Sequence, residues 1–203
     1  RADEFARRIR DLTGTSAAKA KAEVAASVER LFTWAAWADK FDGAAKSVPM
    51  RGIALAMNEP VGVVGMFCPD EAPLLGLVAN AAPALAMGNR VVAVASEPFP
   101  LTATDFYQVL DTSDVPGGVV NIVTGPSDEL AKTLADHYAI DSVWHFGSAA
   151  GAGVVEAASA ANLKRTWTSN GMARDWYDHK QGEGREFLRH ATEVKNIWTP
   201  YGE

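Results

Sequence analysis

Few residues of this chain have a type and setting that could do chemistry, and Cys68 comes first because it is the only thiol. A cysteine attacks as its thiolate, which needs a base or a cation nearby. The neighbouring charges are Asp70 and Glu71, which hold the proton on, so Cys68 reads as a small buried hydrophobe and a poor nucleophile. Gly147-Ser148 precedes an alanine-rich segment. At such a turn, backbone N–H groups, the hydroxyl and the helix dipole can meet a pyrophosphate, although the same pair also serves as an ordinary cap. His145 has no second histidine at metal-ligand spacing and reads as a packed strand residue.

These positions fall at the ends of regular elements. Val61 to Phe67 is a valine-rich run ended by Pro69. A long Ala/Leu helix follows to Met87-Gly88, then a second apolar run, Val91 to Ala95. Strand, helix and strand in about forty residues is the size of a βαβ unit. Leu101 to Leu110 reads as a helix, and Pro116-Gly117-Gly118 as a break. Val119 to Val123 is a third strand, and Ser127, Asp128 and Glu129 suit a helix start. Ser142 to Phe146 and Leu163 to Thr168 are strands four and five, with a helix over Ala149 to Ala161 between them. The alternation predicts an α/β fold with a doubly wound, mainly parallel sheet.

Two helices precede this unit. Phe5, Ile9 and Leu12 share a face that Gly14 ends, and Ser16 is placed to cap a helix running to about Lys40. Its apolar stripe is Val24, Val28, Leu31, Ala35 and Ala38, widened by Trp34, Trp37 and Phe41. Asn170 to Gly184 is polar and without period, and reads as a linker. The organisation expected is N-terminal helices over 1–47, a β-flap over 48–59, the Rossmann-like domain over 60–183 and a C-terminal arm over 184–203.

Composition bounds the function. With 203 residues, 48% hydrophobic and 22% charged, the chain can bury a core of its own. A net charge of −6 leaves no footprint for nucleic acid or an anionic membrane. Pro73, Asn80 and Pro83 interrupt the longest apolar segment, which therefore reads as a buried helix and not a membrane span. A single cysteine and no signal peptide point to a cytoplasmic protein. A start at Arg1 rather than Met suggests a piece of something longer.

The order PVGVVG, CP-x-x-x-PL, APALAMGN-x-VV and SE-x-x-PLTA resembles the cofactor domain of the NAD(P)-dependent aldehyde dehydrogenases. SVERLFTWAAWADKFDG resembles the helix before that domain, and GREFLRHATEVKNIWTPYGE resembles the end of a complete enzyme. The resemblance implies that the flap and the terminal strand form an oligomerisation arm. It also implies that the catalytic domain, which normally lies between the fifth strand and the arm, is absent, and with it the nucleophilic cysteine loop.

Carried over position by position, the resemblance puts Glu71 where the family has its oxyanion-donor asparagine. An ionised carboxylate only accepts hydrogen bonds and repels a developing oxyanion. Ser169 stands where the family has its general-base glutamate, and serine takes no proton near neutral pH without a base of its own. For NAD, Glu97 keeps the ribose position and Gly147-Ser148 the pyrophosphate turn, while Val94 replaces the lysine. The lost contact is worth about 1.5–3 kcal/mol, so NAD binding is expected to be weak or absent. The layout resembles the second, non-catalytic unit of two-module aldehyde dehydrogenases of family sixteen. Its partner would then be the catalytic domain of a module in the same or a neighbouring chain, within a homo-oligomeric parent. The alternatives are the NAD-binding domain of an active aldehyde dehydrogenase and a free NAD sensor.

Overall fold

The structure is a computed structural model that describes residues 1–200. Helix α1 (Ala2–Thr13) buries Phe5, Ala6 and Ile9, and ends at Gly14, whose φ of 69° is left-handed. Ser16 then caps α2 (Ala17–Trp37) by accepting the amide of Lys19. The buried face of α2 is Ala20, Glu23, Val24, Ser27, Arg30 and Trp34. This corrects the stripe expected from hydrophobicity, because Val28, Leu31 and Ala35 are exposed. Two charged residues inside the contact face, Glu23 and Arg30, rotated the helix away from its most apolar side.

Both charges have specific partners. The Glu23 carboxylate accepts the amides of Leu74 and Leu75 at 2.9 and 3.2 Å, capping α3 (Pro73–Ala86) from another helix. Burial nonetheless pushes the Glu23 carboxyl up. Helix α3 is apolar on all sides and buried from Pro73 to Ala84, as befits a central helix packed between sheet and outer helices.

Five parallel strands form the main sheet: β3 (Val63–Phe67), β4 (Arg90–Val94), β5 (Val120–Val123), β6 (Ser142–His145) and β7 (Arg165–Thr168). Their order is β5-β4-β3-β6-β7, with α4 (Leu101–Asp111), α5 (Ser127–Asp136) and α6 (Ala149–Ser159) in the crossovers. The order reverses between β3 and β6, where Gly65 pairs with Val143.

A separate antiparallel sheet has the order β1-β2-β8, built from β1 (Ala44–Ser47), β2 (Gly52–Pro60) and β8 (Thr192–Pro200). The flap thus begins at Ala44, ahead of the expected position 48. The terminal strand pairs with it along its whole length, from Gly52 opposite Pro200 to Pro60 opposite Thr192. Both faces of β8 are open to solvent, Trp198 being 60% exposed.

The segment expected to be a polar linker is packed. It holds a short helix, α7 (His179–Glu183), and Trp176 is only 3% exposed. Arg30 reaches it from α2, donating to the carbonyls of Trp176 and Tyr177 at 3.2 Å each. Its Nη1 lies 2.6 Å from Oε2 of Glu183, off the hydrogen-bond axis, as a close ion pair. The last helix, α8 (Glu186–His190), buries Phe187 and Leu188. Among the described residues, no helix is long and apolar enough to cross a membrane.

Candidate functional site

The carboxyl ends of the strands open into a cleft of about 440 Å³ at the point where strand order reverses, the usual ligand position of an open parallel sheet. Strand β3 brings Cys68 to it, β6 brings His145 and the Gly147-Ser148 turn, and the loop after β4 brings Glu97.

Cys68 is fixed by its backbone amide, which donates to Val94 at 2.9 Å, and its thiol is buried. Burial first, and the Asp70 charge second, push its pKa up to about 12. Asp70 accepts the Ser96 hydroxyl at 2.6 Å. Glu71 stands at the rim, exposed. Neither burial nor the Asp70 charge favours a thiolate.

Glu97 is partly engaged: its Oε2 accepts the backbone amide of Ser127 at 2.9 Å, at the start of α5. Ser148 has φ −62° and ψ 154°, and its Oγ accepts the amide of Gly151 at 3.0 Å, so it caps α6. His145 lies beneath this turn, its Nδ1 accepting the Gly147 amide at 3.4 Å and its ring 5.1 Å from that of Phe67. Burial lowers the His145 pKa, keeping the imidazole neutral. Glycine is required at 151, because a Cβ there would sit 2.7 Å from Nε2 of His145.

Val94 does not face the cleft. It is 1% exposed, packed with Phe67, Ile140, Val143 and Val155. Ser169 is likewise outside the lining, and its buried Oγ has no partner among the described residues. The structure therefore brings together Cys68, Glu71, Glu97, Gly147 and Ser148, and leaves Val94 and Ser169 apart from them.

Residues that were not among the site candidates of the sequence complete the cleft: Asp128, Arg174 and Trp176. The Arg174 guanidinium lies within 5.6 Å of four ring centroids, those of Phe146, Trp167, Trp176 and Phe187. It also donates to Glu186 and, at 2.7 Å, to the Gln181 carbonyl. A lone tryptophan in a polar segment was the one signal that this stretch is packed; nothing in the sequence marked Arg174.

These residues are a poor match to a dinucleotide. Asp70, Glu71, Glu97 and Asp128 line the cleft, and its one lining cation among the described residues, Arg174, is held inside the aromatic box. A pyrophosphate there would meet carboxylates without a free counter-charge.

Comparison with known proteins agrees with this fold. The sequence profile of the aldehyde dehydrogenase family matches residues 1–172. Human aldehyde dehydrogenase 1A1 is 36% identical over 146 residues, which is 70% of this chain and 29% of that protein. An aldehyde dehydrogenase of Agaricus bisporus is 36% identical over 143 residues, with the same two shares. The chain thus spans under a third of these relatives. Among solved structures, lactaldehyde dehydrogenase from Escherichia coli superposes with a TM-score of 0.79 at 27% identity, covering 83% of this chain and 35% of that one. PnpE in complex with nicotinamide adenine dinucleotide gives 0.79 at 28%, covering 82% and 34%. With the α-helical lead-in, the parallel sheet and the turn at Gly147 all inside the matched stretch, the chain belongs to the aldehyde dehydrogenase family.

Proposed function

We propose that this chain is a non-catalytic module of a longer, NAD-dependent aldehyde dehydrogenase, supporting its assembly and packing on its catalytic domain. The observation that carries this reading is the segment from Ser169 to Arg185. In it the chain passes from β7 through the short α7 to α8, and it is fastened back by Arg30 on one side and the aromatic box around Arg174 on the other. A nucleophile-bearing domain has no place in that short, packed connection. Glu71 and Ser169, at the positions of the oxyanion donor and the base, and the protonated Cys68 support the same conclusion. The proposed organisation is helices, flap, Rossmann-like domain and arm, with a two-module parent of the family-sixteen type that acts as a homo-oligomer in the cytoplasm. The partner of the exposed β1-β2-β8 sheet is the catalytic domain of a module in the same or a neighbouring chain.

The test is activity of the isolated chain. NADH formation from aldehydes and ester hydrolysis should both equal those of the Cys68→Ala variant. Turnover above that control would sink the proposal.

A second reading, an NAD-binding domain, is favoured by the retained cleft with Glu97 and the Ser148 cap. The carboxylates in the cleft weigh against it. NAD is thus assigned to the parent enzyme, with weak or absent binding in this module.

A further inference from the structure

The structure assigns Asn170 as a site of spontaneous covalent modification, converting to aspartate and isoaspartate through a cyclic imide formed with Gly171. Ser169 to Met172 make a tight turn closed by the Met172 amide on the Ser169 carbonyl at 3.0 Å. Both central residues are left-handed, Asn170 with φ 50° and Gly171 with φ 77°, which asparagine and glycine tolerate best. Both are exposed.

The step balances without an added reagent other than water. The Gly171 amide nitrogen gives up its proton and attacks Cγ of Asn170, forming a C–N bond. The side-chain nitrogen leaves as ammonia, carrying that proton. Water then opens one of the two imide carbonyls, giving aspartate or, by the other cleavage, isoaspartate. One water is consumed and one ammonia released, nothing is oxidised or reduced, and the chain gains a carboxylate.

The other asparagines separate Asn170 from the rest. It alone is followed by glycine, whose lack of a side chain leaves the attacking nitrogen open. The amide nitrogens of Asn58, Asn80, Asn89, Asn121 and Asn162 are all tied to backbone carbonyls at 2.8–3.3 Å. Asn196 is held in the ladder opposite Ala56 and precedes the β-branched Ile197. The Asn170 side chain makes no such bond among the described residues.

Its place gives the change a consequence. A Cβ on Gly171 would lie 3.0 Å from the Ala149 amide nitrogen, so this turn rests on the first turn of α6. Conversion puts a new negative charge close to the positive end of that helix, beside the Gly147-Ser148 corner. Isoaspartate also lengthens the main chain by one carbon where there is little space.

The experiment is to incubate the folded chain at neutral pH and 37 °C, and follow the tryptic peptide 166–174 by mass spectrometry with an isoaspartyl methyltransferase assay. The denatured chain and the Asn170→Gln variant run in parallel. The expected result is the amide-to-acid mass gain and methyl acceptance in that peptide first, more slowly than in the denatured chain, with neither in Asn170→Gln. An unchanged folded peptide after the denatured one has converted fully would overturn the assignment. So would conversion of any other asparagine ahead of it.

Discussion

The carboxylate of Glu97, which the family resemblance sets at the ribose position, accepts the backbone amide of Ser127 at 2.9 Å and so caps α5. Orphan N–H groups at a helix start need such an acceptor. Glu97→Ala should therefore lower stability by about 0.5–1 kcal/mol, measured by urea unfolding with no ligand present. Calorimetry of the unaltered chain with millimolar NAD should show no saturation. Micromolar affinity lost in Glu97→Ala would mean that the cleft is a working cofactor site.

Arg30 is 1% exposed and joins α2 to the segment around α7. Removing one member of a buried pair strands the other, at a cost of about 3–5 kcal/mol. Arg30→Ala should show that loss, together with new tryptic cleavage at Lys180 or Arg185. Arg30→Met with Glu183→Gln should recover much of it. If both variants match the parent in unfolding and digestion, the segment is held by other contacts.

Burial pushes the Cys68 thiol up to about 12 from its ordinary 9.0. The folded state thus holds the proton more tightly than the unfolded state. That contribution is intact below pH 9 and is lost as pH rises from 9 towards 12. Cys68→Ala should lose less stability over this window than the unaltered chain. The thiol should also resist alkylation at pH 8 until the protein unfolds. Rapid labelling of the native chain would contradict the burial.

His145 has the opposite sign. Burial lowers its pKa from 6.5, so the folded state binds fewer protons than the unfolded one, and its contribution, present above pH 6.5, is lost as pH falls through the lowered value. His145→Phe keeps a ring against Phe67 and should flatten the stability profile below pH 6.5. An acid limb as steep as that of the unaltered chain would assign the loss to other groups.

The arm is paired within the chain: Leu55 lies opposite Ile197, and Ala54 opposite Trp198. What is left uncovered is its two faces and the outer edge of β8. Deleting residues 192–203 from the parent protein should lower its oligomeric state or its turnover and leave the parallel-sheet domain folded. Unchanged sedimentation and turnover would make the arm a local feature only.

Much of this architecture was legible because parallel strands and their crossovers carry strong marks. The apolar runs Val61 to Phe67 and Val91 to Ala95 contain most of β3 and β4, and Gly14 and Ser16 act as the stop and start signals they spell. The face of α2 was misread because hydrophobicity does not show that Glu23 and Arg30 have buried partners about fifty and about 150 residues away. The packed connection was missed for a similar reason. Arg174 is a polar letter whose surroundings, four rings from the residue after β6, from β7, from α8 and from its own segment, are set only by the fold. In the cleft, neither the bond from the Ser127 amide to Glu97 nor the inward turn of Val94 could be read from the sequence.

The ring of His190 lies flat on Trp167, 4.0 Å between centroids and 5° from parallel, which clasps α8 to β7. The two ends of the connection between them are therefore moored side by side. Between those ends the chain does not hang free: Trp176 is buried and Arg174 sits among four rings, so the stretch is closed against the domain. Length at this point is therefore constrained: an insertion would have to lift Trp176 out of the core and break the bonds from Arg30 to the Trp176 and Tyr177 carbonyls, so the stretch serves the fold as a buckle and not as slack.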